Sequence, residues 1–77
     1  MKPLNKQHLA NSIGKNIAHK CRELHLTQKK LAEMSGLTEA GISRYIAGER
    51  LPRIDILLRI AASLNCTLDY LIYGVET

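Results

Sequence analysis

Apolar residues recur along the first third of the chain at the three- and four-residue spacing of an amphipathic helix. This row predicts a helix over 12–24, or one that begins earlier. It consists of Leu9, Ile13, Ile17, Cys21 and Leu24. Gly14 weakens the start of the helix, because glycine inside a helix costs about 1 kcal/mol relative to alanine.

A second, shorter helix is predicted over Gln28–Ser35. Thr27 is suited to cap it, because a threonine hydroxyl accepts a hydrogen bond from a free N–H of the first turn. Leu31 and Met34 are expected to face inward. Gly36 fits the left-handed conformation that ends a helix, since it has no Cβ to clash.

A third helix follows almost at once. Thr38 is the predicted cap of a helix over 39–47, and Gly48 is expected to end this helix as Gly36 ends the second. For Gly41, which lies inside the helix, close packing, close approach of another backbone, or no role at all are the alternatives that the sequence leaves open.

Two further helices are predicted in the last third. Pro52 marks the exit from a loop and the start of a fourth helix. Its expected inward stripe is Ile54, Leu57, Leu58, Ala61 and Leu64. Thr67 caps a short fifth helix with Leu68 and Leu71 inward, and Gly74 ends it.

No alternating pattern predicts a β-strand anywhere in the chain. The predicted fold class is therefore all-α, a compact five-helix bundle that forms one domain over 1–77. Within it, 1–11 is expected to be an N-terminal arm or an extension of the first helix.

The tight turn between the second and third helices is typical of a helix-turn-helix. Ala32 is small where the two helices must approach. The side chains expected to fill the angle between them are Leu31, Leu37, Ile42 and Tyr45. The third helix would then be exposed on its outer face and would fit the major groove of duplex DNA. The alternative is an ordinary helical hairpin without a ligand.

Charge adds weak support for a polyanionic partner. The chain has 11 Lys and Arg against 7 Asp and Glu, a formal net charge of +4. The excess lies in 1–30, where Glu23 is the only acidic residue. A basic end favours nucleic acid, although a solvated helix face explains the same charges.

Other classes of protein are disfavoured. The 2 cysteines are too few for a disulfide framework and have no zinc-site spacing. No apolar run is long enough for a membrane span, and the N-terminus has no signal-peptide core. No nucleophile–base pair or phosphate-binding loop indicates an enzyme. We expect a cytoplasmic protein without metal, cofactor, membrane or small-molecule ligand.

The stretch LTQKKLAEMSGLTEAGISRYIAGERLP, 26–52, resembles the helix-turn-helix of the Cro and phage C1 repressor type, the XRE family. The stretch LLRIAASLNCTLDYLIYG, 57–74, is similar to the closing two helices of that family. The resemblance implies a lambda-repressor-like domain that binds operator DNA as a two-fold dimer. It also implies a helix-turn-helix over 28–47, with 39–47 as the recognition helix.

The sequence departs from the family at one pair of positions. The family often pairs an arginine late in the first helix with a glutamate late in the recognition helix, and Cys21 and Ile46 stand at these positions. Replacing both members of a buried ion pair with apolar groups can be neutral or stabilising. We therefore predict an apolar contact between Cys21 and Ile46.

With Ile42 and Tyr45 facing inward, the third helix presents its other side outward. The candidate base-reading residues are Thr38, Glu39, Ala40, Ser43 and Arg44. Arg44 could bind guanine O6 and N7 with two hydrogen bonds, or contact a phosphate instead. Glu39 could accept from cytosine N4, orient Arg44, or simply favour the helix N-terminus by its charge.

Contacts to the DNA backbone, which the resemblance implies, are expected at the start of the second helix and in the loop that enters the fourth. The candidate phosphate-binding residues are Gln28, Lys29, Arg50 and Arg53. Gln28 opens the second helix, whose free N–H groups also suit a phosphate oxygen. Lys2, Lys6 and Lys29 are expected to add attraction that is independent of sequence and falls with salt.

Apolar residues near the C-terminus exceed what one small core needs. The candidate dimer interface is Ile56, Ile60, Tyr70 and Tyr73, and packing within the monomer is the alternative. The sequence thus predicts a DNA-binding transcriptional regulator, most simply a repressor that binds an inverted-repeat operator as a homodimer. Two other hypotheses are an antitoxin that autoregulates its promoter and a protein-interaction module that has lost DNA binding.

Overall fold

The computed structural model describes residues 5–75. Within that range it contains five α-helices and no strand, which confirms the predicted all-α class. The helices are α1 (Lys6–Glu23), α2 (Gln28–Ser35), α3 (Glu39–Ile46), α4 (Ile54–Leu64) and α5 (Leu68–Tyr73). The predicted bounds of α2 are confirmed, and α3 is one residue shorter than predicted.

The helix α1 starts earlier than its apolar row suggested. Asn5 caps it, because its side chain accepts a hydrogen bond from the backbone N of His8 at 3.1 Å. Within the predicted 1–11 segment, residues 6–11 are therefore an extension of the first helix. Residues 1–4 of that segment, with Lys2, lie outside the described residues.

The predicted threonine caps are confirmed. Thr27, Thr38 and Thr67 accept hydrogen bonds at 3.0 Å from the backbone N–H three residues on. This geometry satisfies one of the free N–H groups that every helix start leaves.

The ends of the helices are equally regular. Gly36, Gly48 and Gly74 have φ of 69°, 74° and 80°, as predicted. His25 and Asn65 also adopt positive φ, 57° and 52°, which the sequence did not indicate because neither is glycine. At the C-terminal ends of α1 to α4, the backbone N–H of the residue that follows the positive-φ residue donates to a carbonyl oxygen in the last turn of the helix. These bonds are Leu26 N to Cys21 O, Leu37 N to Ala32 O, Glu49 N to Arg44 O and Cys66 N to Ala61 O.

One apolar core joins the five helices. Its fully buried large side chains are Ile13, Ile17, Leu31, Ile42, Ile60, Leu64 and Leu71. Cys21 is buried in this cluster and Ile46 packs against it, while their direct contact stays a prediction. Burial raises the pKa of the Cys21 thiol, so the thiol stays protonated and unreactive near neutral pH.

The predicted inward stripe of α4 is confirmed for Leu57, Ala61 and Leu64, which are buried together with Ile60. It is wrong for Ile54 and Leu58, which are 60% and 52% exposed. Apolar residues occupy most of the circumference of this helix, so the sequence did not define which face is buried. Packing against α2 and α5 decides it.

Three further residues lie elsewhere than predicted. Met34 is 47% exposed and does not face inward. Ile60 is fully buried, and Tyr70 is buried with Lys20 Nζ 4.4 Å from the centre of its ring. Neither Ile60 nor Tyr70 is therefore available for a dimer interface, and the packing alternative applies to both. Ile56 is half-buried and Tyr73 is exposed.

The crossing of α1 and α3 is unusually close and depends on Gly14. Gly14 is buried against the last turn of α3. A Cβ at this position would overlap the backbone O of Ile46 and the backbone O of Tyr45, and would lie 2.9 Å from the carbonyl C of Ile46. The glycine that weakens α1 as an isolated helix is thus what lets α3 pack on it.

Candidate nucleic-acid interface

The core holds α3 by one side only. Ile42 is fully buried and Tyr45 nearly so, and the helix packs on α1 and α2. The five candidate base-reading residues are all exposed, as the helical geometry predicted: Thr38, Glu39, Ala40, Ser43 and Arg44. The structure therefore places them together on the outer surface of one short helix.

Thr38 has a capping role that leaves it free to donate. Its Oγ1 accepts the hydrogen bond from Gly41 N at 3.0 Å. A hydroxyl that accepts through a lone pair still carries its own hydrogen. Thr38 can therefore cap α3 and donate to an acceptor in front of the helix at the same time.

Glu39 and Arg44 stand apart on this surface. Within the described residues neither forms an ion pair or a side-chain hydrogen bond, so the expected role of Glu39 in orienting Arg44 is not seen. Glu39 lies in the first turn of α3 and Arg44 in the last. Both charges have the sign that the helix dipole favours at their end of the helix.

Gly41 is explained neither by its backbone conformation nor by close packing. The nearest atom to a Cβ added at this position is Thr38 Oγ1, at 3.1 Å. The same cap occurs in α2 and α5, where the residues that donate to the threonine hydroxyl, Lys30 and Tyr70, both carry a Cβ. The isolated domain therefore has no need for glycine here.

Replacing Gly41 with alanine should raise the free energy of unfolding by about 0.5–1 kcal/mol, because alanine is the better helix former. Thermal denaturation would show this as a rise in melting temperature of roughly 2–8 °C. A fall in melting temperature would mean that the capping hydroxyl cannot yield the few tenths of an ångström that a Cβ requires.

The helix α2 packs against α3. Gln28 and Lys29 are exposed at its first two positions, and Thr27 caps the helix through Lys30 N. The remaining free N–H groups and the positive end of the helix dipole favour an anion. Lys30 Nζ lies 3.8 Å from Glu33 Oε2 in an exposed ion pair, and Lys29 forms no ion pair among residues 5–75.

The loop after α3 carries two exposed arginines. Arg50 and Arg53 border a shallow recess of about 320 Å³ together with Tyr45, Leu51 and Ile56. Arg53 Nε lies 3.7 Å from Asp55 Oδ1, and its side chain is 83% exposed. An ion pair that is so exposed is weak, so the guanidinium can exchange partners.

The same loop leads into a helix start without a side-chain cap. Arg53 stands at the N-cap of α4 and makes no capping hydrogen bond, whereas a side chain caps each of the other four described helices. The free N–H groups of α4 thus lie beside two guanidinium groups. The sequence suggested Arg53 as a phosphate ligand, but not this second source of donors.

Sequence reasoning missed three side chains that join distant helices, two of which hold the ends of α2 and α3. Gln7 Nε2 donates to Gly48 O at 3.0 Å, Arg59 Nη2 donates to Gly36 O at 3.1 Å, and Asn16 Nδ2 donates to Leu71 O at 2.9 Å. Each joins the end of a distant helix. No local pattern marks them, because a polar residue on a helix surface is the usual case.

Other kinds of site are not evident in the part of the chain that the structure describes. Residues 5–75 contain no group of three His, Cys, Asp or Glu side chains that could hold a metal ion. None of the helices in this range is both long and apolar enough to cross a membrane.

An all-α bundle that presents a short, exposed helix, here α3, after a tight turn has the geometry of a helix-turn-helix domain. A family model described as helix-turn-helix, HTH_3, matches residues 17–71. The chain belongs to this family, the Cro/C1 or XRE type, as its sequence suggested. Residues 17–71 are thus a helix-turn-helix domain of this type.

Two curated proteins illustrate the relationship. The chain is 38% identical over 56 residues to the uncharacterised HTH-type transcriptional regulator YqaE of Bacillus subtilis, covering 71% of this chain and 48% of YqaE. It is 31% identical over 62 residues to repressor protein C2 of Salmonella phage P22, covering 80% of this chain and 29% of C2. The chain thus spans about half the length of YqaE and less than a third of C2.

Solved structures confirm the fold. The P22 c2 repressor protein in complex with a synthetic operator matches with a TM-score of 0.77 at 30% identity, covering 82% of this chain and 96% of that one. The restriction–modification controller protein C.AhdI of Aeromonas hydrophila matches with a TM-score of 0.78 at 22% identity, covering 80% and 94%. This second likeness concerns the fold alone.

Proposed function

We propose that this chain is a sequence-specific repressor that binds an inverted-repeat operator as a homodimer. The observation that carries the proposal is the outer face of α3, where five polar or small side chains are exposed on a helix whose inner face is buried. Cationic and amide side chains are exposed at the start of α2 and in the loop after α3. The P22 c2 repressor, which matches this chain at 30% identity, was solved in complex with a synthetic operator, and this supports duplex DNA as the ligand.

Base reading is assigned to the outer face of α3. Arg44 binds guanine O6 and N7, Ser43 donates to a base edge, and Ala40 contacts a thymine methyl group. Thr38 donates while it caps the helix, and Glu39 accepts from cytosine N4. Glu39 has the most demanding role, since phosphates repel a carboxylate that is not matched to a donor.

Phosphate binding is assigned to the two flanks. Gln28 and Lys29 contact one strand from the start of α2, and Arg50 and Arg53 contact a phosphate at the recess beside α4. The uncapped N–H groups of α4 favour the same anion. These contacts give affinity and register, and the α3 contacts give sequence preference.

The homodimer is assigned to apolar side chains that remain exposed in the C-terminal half. Ile54 and Leu58 lie one turn apart on α4, and Tyr73 and Val75 are exposed at the end of α5. A two-fold dimer would place its two α3 helices in successive major grooves about 34 Å apart. Occupancy of such a site blocks polymerase, and no further chemistry is needed.

Selection from a pool of random duplex DNA tests the function. The expected result is enrichment of an inverted repeat whose half-sites are one helical turn apart. Enrichment of a single half-site would support sequence-specific DNA binding but contradict the homodimer. A folded protein that enriches no sequence would reject the proposal and favour the protein-interaction module.

Replacing Leu58 with glutamate should weaken the dimer at least about tenfold, because it places a charge in an apolar contact. Analytical ultracentrifugation measures this directly. Affinity for the full operator should fall, while affinity for an isolated half-site should stay unchanged. Leu24→Glu is the matched control, since Leu24 is 44% exposed but lies at the end of α1. Equal behaviour of the two variants would place the interface elsewhere.

A further inference from the structure

A side-chain amide of α1 holds the point where the chain leaves α3. Gln7 Nε2 donates one hydrogen bond to Gly48 O at 3.0 Å and another to Asn11 Oδ1 at 2.9 Å. An amide nitrogen carries two hydrogens, so both are used. Gln7 and Gly48 are 41 residues apart in sequence, so this bond constrains the tertiary arrangement of α1 and the loop.

The peptide group that Gln7 holds has little room to move. Gly48 is buried with φ of 74°, and Glu49 N donates to Arg44 O at 3.0 Å. A Cβ on Gly48 would overlap Asn11 Oδ1 and would lie 3.4 Å from Asn11 Cα. Because α1 packs directly on this turn, the chain beyond it starts in a fixed direction.

The loop that starts there delivers the two arginines. Arg50 is two residues beyond Gly48, and Arg53 is three further on. Both side chains are exposed. Among residues 5–75, the side chain of Arg50 forms no hydrogen bond or ion pair that would fix it. Holding the backbone in its bound conformation reduces the ordering cost of a contact by flexible side chains.

We propose that Gln7 is a positioning residue for DNA binding. Its amide, which also donates to Asn11, holds the backbone at Gly48 in one conformation. Arg50 and Arg53 are thereby placed so that they can bind a phosphate of the DNA backbone. Gln7 itself needs no contact with DNA. The inference rests on the proposed function, since it requires that the arginines bind phosphate.

A double-mutant cycle tests this role with the full chain and the selected operator. Gln7→Ala should reduce affinity about fivefold in the otherwise unchanged protein. In a background that carries Arg50→Ala and Arg53→Ala, the same change should reduce affinity less than about twofold. The base preference found by selection should be the same for all variants.

The salt dependence of binding separates positioning from direct contact. Gln7 is uncharged, so a direct hydrogen bond from it to DNA would leave the slope of log affinity against log salt unchanged. Positioning predicts a smaller slope for Gln7→Ala, because arginine contacts are lost with it. His8→Ala is the matched control: His8 is exposed on the same turn, and its backbone cap to Asn5 survives the change.

The outcomes distinguish the two proposals. If the unchanged protein selects no DNA sequence, the proposed function fails. If removal of both arginines leaves affinity unchanged, their phosphate role fails and the role of Gln7 fails with it. If the arginines matter but Gln7→Ala acts equally in both backgrounds, or not at all, only the positioning role is overturned. Measurements well below every melting temperature exclude unfolding as the cause.

Discussion

Gly14→Ala is expected to lower the free energy of unfolding by about 3 kcal/mol, a large part of the stability of a small domain. The added Cβ would overlap the backbone oxygens of Tyr45 and Ile46. Backbone atoms cannot change rotamer, so the overlap is relieved only when α1 and α3 move apart. The melting temperature should fall by roughly 15 °C, measured by thermal denaturation followed by circular dichroism.

The direction of this effect is opposite to helix propensity. Alanine alone would stabilise α1 by about 1 kcal/mol, as we expect for Gly41→Ala in α3. The two variants make the same chemical change in two helices of the same protein. A rise in melting temperature for both would mean that the close crossing of α1 and α3 is not a feature of the folded protein.

The same variant should also weaken DNA binding at temperatures where it remains folded. The outer face of α3 keeps all its side chains, but the added methyl group displaces the helix α3 from α1. A displacement of about 1 Å is enough to spoil paired hydrogen bonds whose lengths vary by only a few tenths of an ångström. Unchanged operator affinity in a destabilised Gly14→Ala variant would show that the domain relaxes elsewhere.

Arg44→Ala is expected to reduce operator affinity about 10- to 100-fold, because a bidentate arginine–guanine pair contributes about 1–3 kcal/mol of discrimination. The larger consequence concerns specificity: selection from random duplexes should show relaxed preference at one base pair in each half-site. Stability should change little, since the side chain is exposed and makes no ion pair among residues 5–75.

Arg53→Ala supplies the comparison, since it also removes one exposed guanidinium. A phosphate contact should weaken all sequences alike and reduce the salt slope by about 0.9. If Arg44→Ala behaves in this way instead, Arg44 contacts the DNA backbone and the guanine assignment is wrong. The two arginines then differ only in position along the DNA.

Much of the fold could be predicted because local chemistry determines it. The caps Thr27, Thr38 and Thr67 and the turns at Gly36 and Gly48 each depend on hydrogen bonds between residues three to five apart. Such bonds depend little on the rest of the chain. The start of α1 is local too, but the sequence left it open between an arm and a helix extension, because the polar segment before Leu9 has no apolar periodicity.

For the candidate site, too, the features set by local geometry could be predicted and those set by distant contacts could not. The inward orientation of Ile42 and Tyr45 follows from helical geometry, and with it the exposure of the opposite face. The sequence did not show which apolar side chains of α4 and α5 stay exposed. Ile60 and Tyr70 are core residues, whereas Ile54 and Leu58 are exposed.

The sequence alone determined the five helices, the tight turn at Gly36 and the side of α3 that faces outward. Caps and helix faces depend on residues only a few positions apart. Only the tertiary structure decided which apolar side chains of α4 stay exposed, why Gly14 must lack a side chain, and which loop Gln7 holds. These features depend on contacts between residues far apart in the chain, such as the 41 positions between Gln7 and Gly48. No local pattern encodes such contacts, since the same polar or small residue would be equally acceptable on an exposed helix surface.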